Sequence, residues 1–167
     1  MKVAVIGTGR VGKVIGGGLV KAGHDVVVDA IPGAAVPGVL RPIGADILGE
    51  KVLLEVANDL SPDFELTYPN KSVGVAVQEE FPRLRVVRTL NTVQAPLMGN
   101  PTRLPAASTV FLAGNDAGAK AVASGLLVDL GWPRRWQIDL GDIAQARATE
   151  HFFSALSASH RPSTQSR

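Results

Sequence analysis

The 167-residue chain contains no cysteine, which excludes a disulfide framework and any thiolate metal site. Its three histidines, His24, His151 and His160, lie too far apart in sequence to form a local metal motif. Charge of one sign is also scarce. The formal net charge is +2, and the basic residues are scattered. The densest group, Arg83, Arg85 and Arg88, reads as a solvated strand flank and not as a nucleic-acid surface. No apolar run approaches the ~20 residues that span a bilayer. The first apolar run begins at residue 2, which leaves no room for a leader and predicts a soluble, cytoplasmic protein. No Ser/His/Asp set, paired carboxylates or Tyr-x-x-x-Lys arrangement stands out. The single Tyr68 sits in a proline-flanked loop.

What the chain does carry is concentrated at its start. Lys2-Val-Ala-Val-Ile6 runs into Gly7-Thr8-Gly9-Arg10-Val11-Gly12, and Asp29 closes a second apolar run, Val26-Val-Val28. In this pattern Gly7 permits a tight strand-to-helix turn. Gly9 lets backbone approach a pyrophosphate, and Gly12 lets helix and sheet pack closely. The phosphates then meet free N–H groups at the positive end of the helix. The strand before, the helix after and the acid beyond agree with a dinucleotide-binding turn.

Strand-like and helix-like stretches alternate along the rest. Candidate strands are Val3–Ile6, Val26–Ile31, Val52–Val56, Val86–Leu90, Thr109–Ala113 and Arg135–Ile138. Between them lie helical patterns at Val11–Ala22, ended by Gly23, a proline-broken piece near Ala35–Leu40, Ser72–Phe81, ended by Pro82, and Ala117–Leu130. A last helix spans about Asp142–Ala155. Ala117–Leu130 is the clearest, with Asn115 or Asp116 as N-cap and Gly131 just past its end. The alternation predicts an α/β fold: a Rossmann-like, doubly wound, mostly parallel sheet with helices on both faces. Residues 1–156 form one domain, and the Ser/Arg/Pro-rich residues 157–167 form a polar, disordered tail. Gly16-Gly-Gly18 inside the first helix gives up about 2–3 kcal/mol relative to alanines, which calls for close packing of that helix on the sheet or close approach of a ligand, and packing is favoured because these positions lie beyond the phosphate turn.

Several strings resemble the coenzyme F420-dependent NADP oxidoreductase family. They are Lys2-Val-Ala-Val-Ile-Gly-Thr-Gly-Arg-Val-Gly-Lys13, Ala22-Gly-His-Asp-Val26, Ala30-Ile-Pro32, Arg88-Thr-Leu-Asn-Thr-Val93, Phe111-Leu-Ala-Gly-Asn-Asp116, Val128-Asp-Leu-Gly-Trp132 and Ala146-Arg147. The resemblance covers most of residues 1 to about 156, in order. It implies a single Rossmann-like domain that passes hydride between NADP(H) and a deazaflavin (F420) or flavin-like acceptor. Position by position, Thr8, Gly9, Arg10, Val11 and Gly12 match the family's pyrophosphate turn, and Ala30, Ile31 and Pro32 match the strand end lining its cofactor groove. Ala57 and Asn58 match the end of the next strand. Asn91, Thr92, Val93 and Ala95 match the loop beside the nicotinamide. The absence of an acid–base set agrees with this chemistry: a carbonyl reductase usually needs a proton donor, whereas hydride exchange between two cofactors needs chiefly apposition.

One departure changes the expectation. In the family a small polar residue and an arginine follow the second strand and hold the 2′-phosphate, and further elements precede the Ala-Ile-Pro strand. Here Val26–Val28 serves as entry to the one and exit of the other, so the chain is shortened internally by about one βαβ unit, ~30 residues. If Val26–Val28 is the usual second strand, Asp29 accepts from the adenosine ribose and favours NAD. If it occupies the later strand's place, Asp29 is a strand-end residue and the adenosine half of the groove has lost a wall. The exposed sheet edge would then call for cover, most simply a second subunit, hence a homodimer. Arg10 or Arg41 could stand in for the missing 2′-phosphate ligand. His24 and Glu150-His151 read as surface or helix-end residues. Trp132 and Trp136 read as an exposed lip or, for at least one, as core. The reading in another class is a non-catalytic NAD(P)-binding sensor or partner subunit.

Overall fold

A computed structural model of the chain describes residues 4–7, 9–21, 27–61 and 65–159. Six strands, β1 (Ala4–Ile6), β2 (Val27–Asp29), β3 (Val52–Glu55), β4 (Arg85–Thr89), β5 (Val110–Ala113) and β6 (Gln137–Asp139), form one sheet in chain order. All neighbours are parallel except β4 and β5. That exception has a local cause. Between Leu90 and Thr109 the only regular pieces are α5 (Ala95–Met98) and a 3-10 turn at Pro101–Arg103, and neither is long enough to carry the chain back along the sheet.

Helices cover both faces. On one, α1 (Arg10–Lys21) and α6 (Ala117–Asp129) bury Ile15, Leu19, Ala123, Leu126 and Leu127 against Leu54, Val56, Val87 and Leu112. On the other, α2 (Val36–Leu40), α3 (Ala45–Leu48) and α4 (Val73–Glu80) bury Val36, Leu40, Leu48, Val73 and Val77 against Leu53, Val86 and Ala113. Adjacent residues of β3 and β4 point to opposite faces, as the two-residue period requires. Capping follows the sequence: Ser72 Oγ accepts from Val75 N at 3.1 Å, Asp116 Oδ1 accepts from Ala119 N at 2.5 Å, and Gly131 stops α6 with φ at 96°. The glycine triplet is explained in part. A Cβ on Gly18 would lie 2.7 Å from Leu130 Cδ2, so α1 sits close against the end of α6, and a methyl there would have to push the Leu130 side chain aside.

The first crossover is unusual. The steps β1–β2, β2–β3 and β3–β4 all move the same way across the sheet between parallel strands. The second and third pass over the face carrying α2, α3 and α4, but the first passes through α1 on the opposite face. Its hand is therefore opposite to theirs, and such crossovers are almost always right-handed. A helix on α1's face makes the common hand only if the next strand lies outside β1. The missing βαβ unit belongs in that place, and its loss joins α1 to a strand on the other side.

α7 (Ala146–Ser159) closes the chain and continues three residues into the stretch expected to be tail; residues 160–167 lie outside the described residues. No helix among the described residues is long and apolar enough to cross a membrane.

Candidate functional site

The C-terminal ends of β1 to β4 open onto a groove of 580 Å³, within the size range of small-molecule sites. Arg10 and Val11 line it from the start of α1, Ala30, Ile31 and Pro32 from beyond β2, and Val56, Ala57 and Asn58 from beyond β3. Asn91, Val93, Gln94, Ala95, Pro96 and Met98 come from the segment after β4, and Phe153 from α7. Ten of the residues expected from sequence thus come together: Arg10, Val11, Ala30, Ile31, Pro32, Ala57, Asn58, Asn91, Val93 and Ala95. Thr8 lies outside the described residues. Gly7 and Gly9 form the turn and Gly12 is buried within α1, none of the three lining the groove, and Thr92 lines a neighbouring hollow with Phe111, Trp132 and Phe152.

Gly7 and Gly9 have separate roles. Gly7 holds φ at 103°, and a Cβ there would lie 2.7 Å from both Ala30 O and Ile31 Cγ2, so its glycine is a requirement of the fold. Beyond its chain neighbours, a Cβ on Gly9 would meet no atom of the described residues within 4 Å, so that position is open toward whatever occupies the turn. Ala30 N donates to Ile6 O at 2.9 Å, which seats the end of β2 directly beside the turn.

The far wall rests on a polar lattice. Asn58 Nδ2 donates to Asn91 O at 2.7 Å, and Asn58 Oδ1 accepts from Asn91 Nδ2 at 3.0 Å and from Arg88 Nη2 at 3.1 Å. Immediately before Asn91, Leu90 is held at φ 60°, a conformation rare for a bulky side chain. Strain of this kind persists where the surroundings over-determine the backbone, and it collects at binding sites.

Arg88 itself departs from expectation. It is no solvated flank: its side chain is fully buried, paired with Glu55 Oε2 and, at 2.9 Å, with Glu150 Oε1. Glu150 is likewise buried and not a helix-end surface residue, with Oε1 also accepting from Val73 N at 3.0 Å at the start of α4. Two carboxylates therefore converge on one guanidinium, a pairing missed because the partners come from β3, β4 and α7. The sequence did hold a signal, since Glu55 and Arg88 bring opposite charges onto the apolar runs Val52–Leu54 and Val86–Val87 of neighbouring strands.

One cation cannot neutralise two buried carboxylates. Glu55 has both oxygens occupied, by Arg88 and by Ala57 N at 2.7 Å, yet burial still pushes its carboxyl up against those partners. Burial pushes Glu150 up to about 7, with Arg88 and the Val73 N–H pulling it down and Glu55 and Asp59 pushing it further up. Its Oε2 has no partner, which leaves room for the proton. A carboxyl whose folded value exceeds its unfolded one binds the extra proton only in the folded state. Its stabilisation is therefore complete below about 4.5 and is lost as the pH rises through about 7. Urea unfolding should show stability falling over that window by up to about 3 kcal/mol, and Glu150→Gln should flatten the slope.

Trp132 is core, its Nε1 donating to Met98 O at 2.9 Å, and Trp136 stacks edge-on to it at 6.2 Å. Arg41 pairs with Glu80 through Nε at 2.6 Å and Nη2 at 3.0 Å, away from the groove. His151 is exposed, and His24 lies outside the described residues. Phe153, Val56, Gln94, Pro96 and Met98 are lining residues that sequence reasoning missed. Phe153 arrives from a helix distant in sequence, with no local mark to announce it. Among the described residues no group of His, Asp or Glu could hold a metal.

No protein-family model matches the chain, and neither does any curated protein. Among solved structures, a proposed F420-dependent NADP reductase from Arthrobacter sp. FB24 is 31% identical, covers 92% of this chain and 90% of its own, and superposes with a TM-score of 0.86. The hypothetical protein SMa0349 of Sinorhizobium meliloti, 20% identical, covers 87% of this chain and 88% of its own at a TM-score of 0.60. An imine reductase of Streptomyces aurantiacus, 14% identical, covers 92% of this chain but only 60% of its own length at 0.65, a likeness of fold alone. Fold and groove together define a Rossmann-like, nicotinamide-dinucleotide-binding oxidoreductase, shortened within its first half. The chain belongs to the F420-dependent NADP reductase family.

Proposed function

We propose that the protein transfers hydride between a nicotinamide dinucleotide, NADP(H) or NAD(H), and a flat deazaflavin or flavin acceptor. The observation that carries this reading is the composition of the groove: among the described residues lining it, Arg10 is the only ionisable one, and the rest are apolar or neutral. Such a wall can hold and orient rings, and it offers no side chain placed to deliver a proton to a carbonyl. The residues present fit the cofactor's phosphate and nicotinamide ends. Gly9 leaves space at the turn, the start of α1 presents free N–H groups, and Asn58 and Asn91 form a rigid polar wall.

The bound dinucleotide supplies the hydride chemistry; the chain supplies binding, orientation and exclusion of water. The α1 N-terminus and Arg10 hold negative charge, while Ile31, Pro32, Val56 and Val93 exclude solvent from the ring face. A hollow of 360 Å³ meets the groove at Val93 and Gln94, where Phe111 and Phe152 add aromatic surface suited to a flat acceptor, backed by the buried Trp132. The acceptor's chemistry is carried over from the Arthrobacter relative.

The test is titration of the purified protein with NADPH and NADH, followed by an absorbance assay of transfer to F420 and to FMN. Binding with transfer is the expected result. No binding of either nucleotide at about 1 mM would overturn the reading. Binding without transfer to any deazaflavin or flavin would favour a sensor or partner subunit.

A further inference from the structure

We infer that recognition of the nicotinamide nucleotide by this chain stops at its phosphates, so that the adenosine half and any 2′-phosphate contribute little to affinity. The inference rests on the nicotinamide reading above and specifies its ligand class: nicotinamide nucleotides, with broad tolerance for what lies beyond the phosphate.

The ground is topological. In a full dinucleotide-binding sheet the phosphate turn lies where strand order reverses, and the ligand straddles two mononucleotide-binding halves, one on each side of the first strand. Among the described residues the order is β1-β2-β3-β4-β5-β6 with no reversal, and β1 is an edge. Every strand that follows the turn lies on one side of it. The groove agrees, because all its lining residues come from the start of α1, from segments beyond β2, β3 and β4, and from α7.

Asp29 supports the same conclusion from its position. The acid that holds the adenosine ribose belongs at the end of a strand outside the first one. The register instead aligns Ile6 with Asp29 and Asp29 with Glu55, placing it between β1 and β3 on the nicotinamide side. Gly7 lies against Ala30 and Ile31, so the strand beside the turn cannot also serve as the outer wall. The opposite hand of the first crossover, which adds the face carrying α1 to the same strand order, marks the same missing unit.

The experiment is a set of binding titrations on the full chain at physiological ionic strength, to limit nonspecific attraction of the extra phosphate. The probes are NADPH, NADH, reduced nicotinamide mononucleotide and 2′,5′-ADP. Dissociation constants for the three reduced nicotinamide nucleotides should agree within about fivefold, and 2′,5′-ADP should bind more weakly than any of them. Asp29→Ser should leave the NADPH-to-NADH ratio unchanged within the same factor. A wider gap in favour of either dinucleotide over the mononucleotide would overturn the inference, as would tight binding of 2′,5′-ADP. Either result would mean that something, such as a second copy of the chain, completes the adenosine wall. Failure of all four to bind would overturn the nicotinamide reading itself, a pattern distinct from the others.

Discussion

Arg88→Met should lower folding stability by about 3–5 kcal/mol at about pH 8, because it strands two buried carboxylates without a cation. Glu55 and Glu150 both lean on this guanidinium, and neither is accessible to water. The loss should shrink at about pH 5, where each carboxyl can take a proton and become neutral. Urea unfolding at the two pH values measures both effects. A loss under about 1 kcal/mol at the higher pH would mean that the ion cluster is not buried as described. The substitution reaches the groove as well, since Arg88 Nη2 holds Asn58 Oδ1 and Asn58 holds the Asn91 turn. Nucleotide affinity should therefore weaken in the fraction that still folds.

Gly9→Val carries the second large effect, on binding and not on stability. With no atom of the described residues beyond its chain neighbours within 4 Å of the added Cβ, the variant should unfold within about 1 kcal/mol of the parent, the small loss coming from a poorer helix N-cap. Its branched side chain would nevertheless occupy the approach to the turn, and loss of the phosphate hydrogen bonds should weaken nicotinamide nucleotide binding about 100-fold or more. Unchanged affinity would reduce the glycine pattern to a tight turn. Gly7→Ala is the contrasting control. There the Cβ meets Ala30 O at 2.7 Å, so the loss should appear in stability first.

The expectations that held are those written in short stretches of chain. β3 and α6 were legible from apolar period and caps: Asp116 starts α6, Gly131 stops it, and the observed Ala117–Asp129 differs from the expected helix by one residue. Groove residues after β2, β3 and β4 were legible because family strings place them at strand ends, where open α/β sheets bind ligands. What could not be read is long-range. The sequence of Val26–Val28 suits either of two places in a sheet, and only pairing with both β1 and β3 decides between them. The antiparallel β5 leaves no local trace, since a buried strand looks the same in either direction. The burial of Arg88 was misread because its cluster with Arg83 and Arg85 resembles a surface charge run. Arg83 does pair with exposed Asp46, but the strand period turns Arg88 toward α7 and its glutamate.

The edge position of β1 has a further consequence, for how the molecule opens. β3 and β4 are held by neighbours on both sides, whereas β1 is anchored through β2 alone among the described residues. Elements held on one side exchange and unfold locally at lower free energy than the interior of a sheet. The proposed phosphate turn hangs from that strand, so the segment assigned to the ligand is among those that open at the lowest free energy. A nucleotide that binds only the closed form stabilises it in proportion to the logarithm of its concentration. Nucleotide supply would thus set the time this end of the protein spends folded.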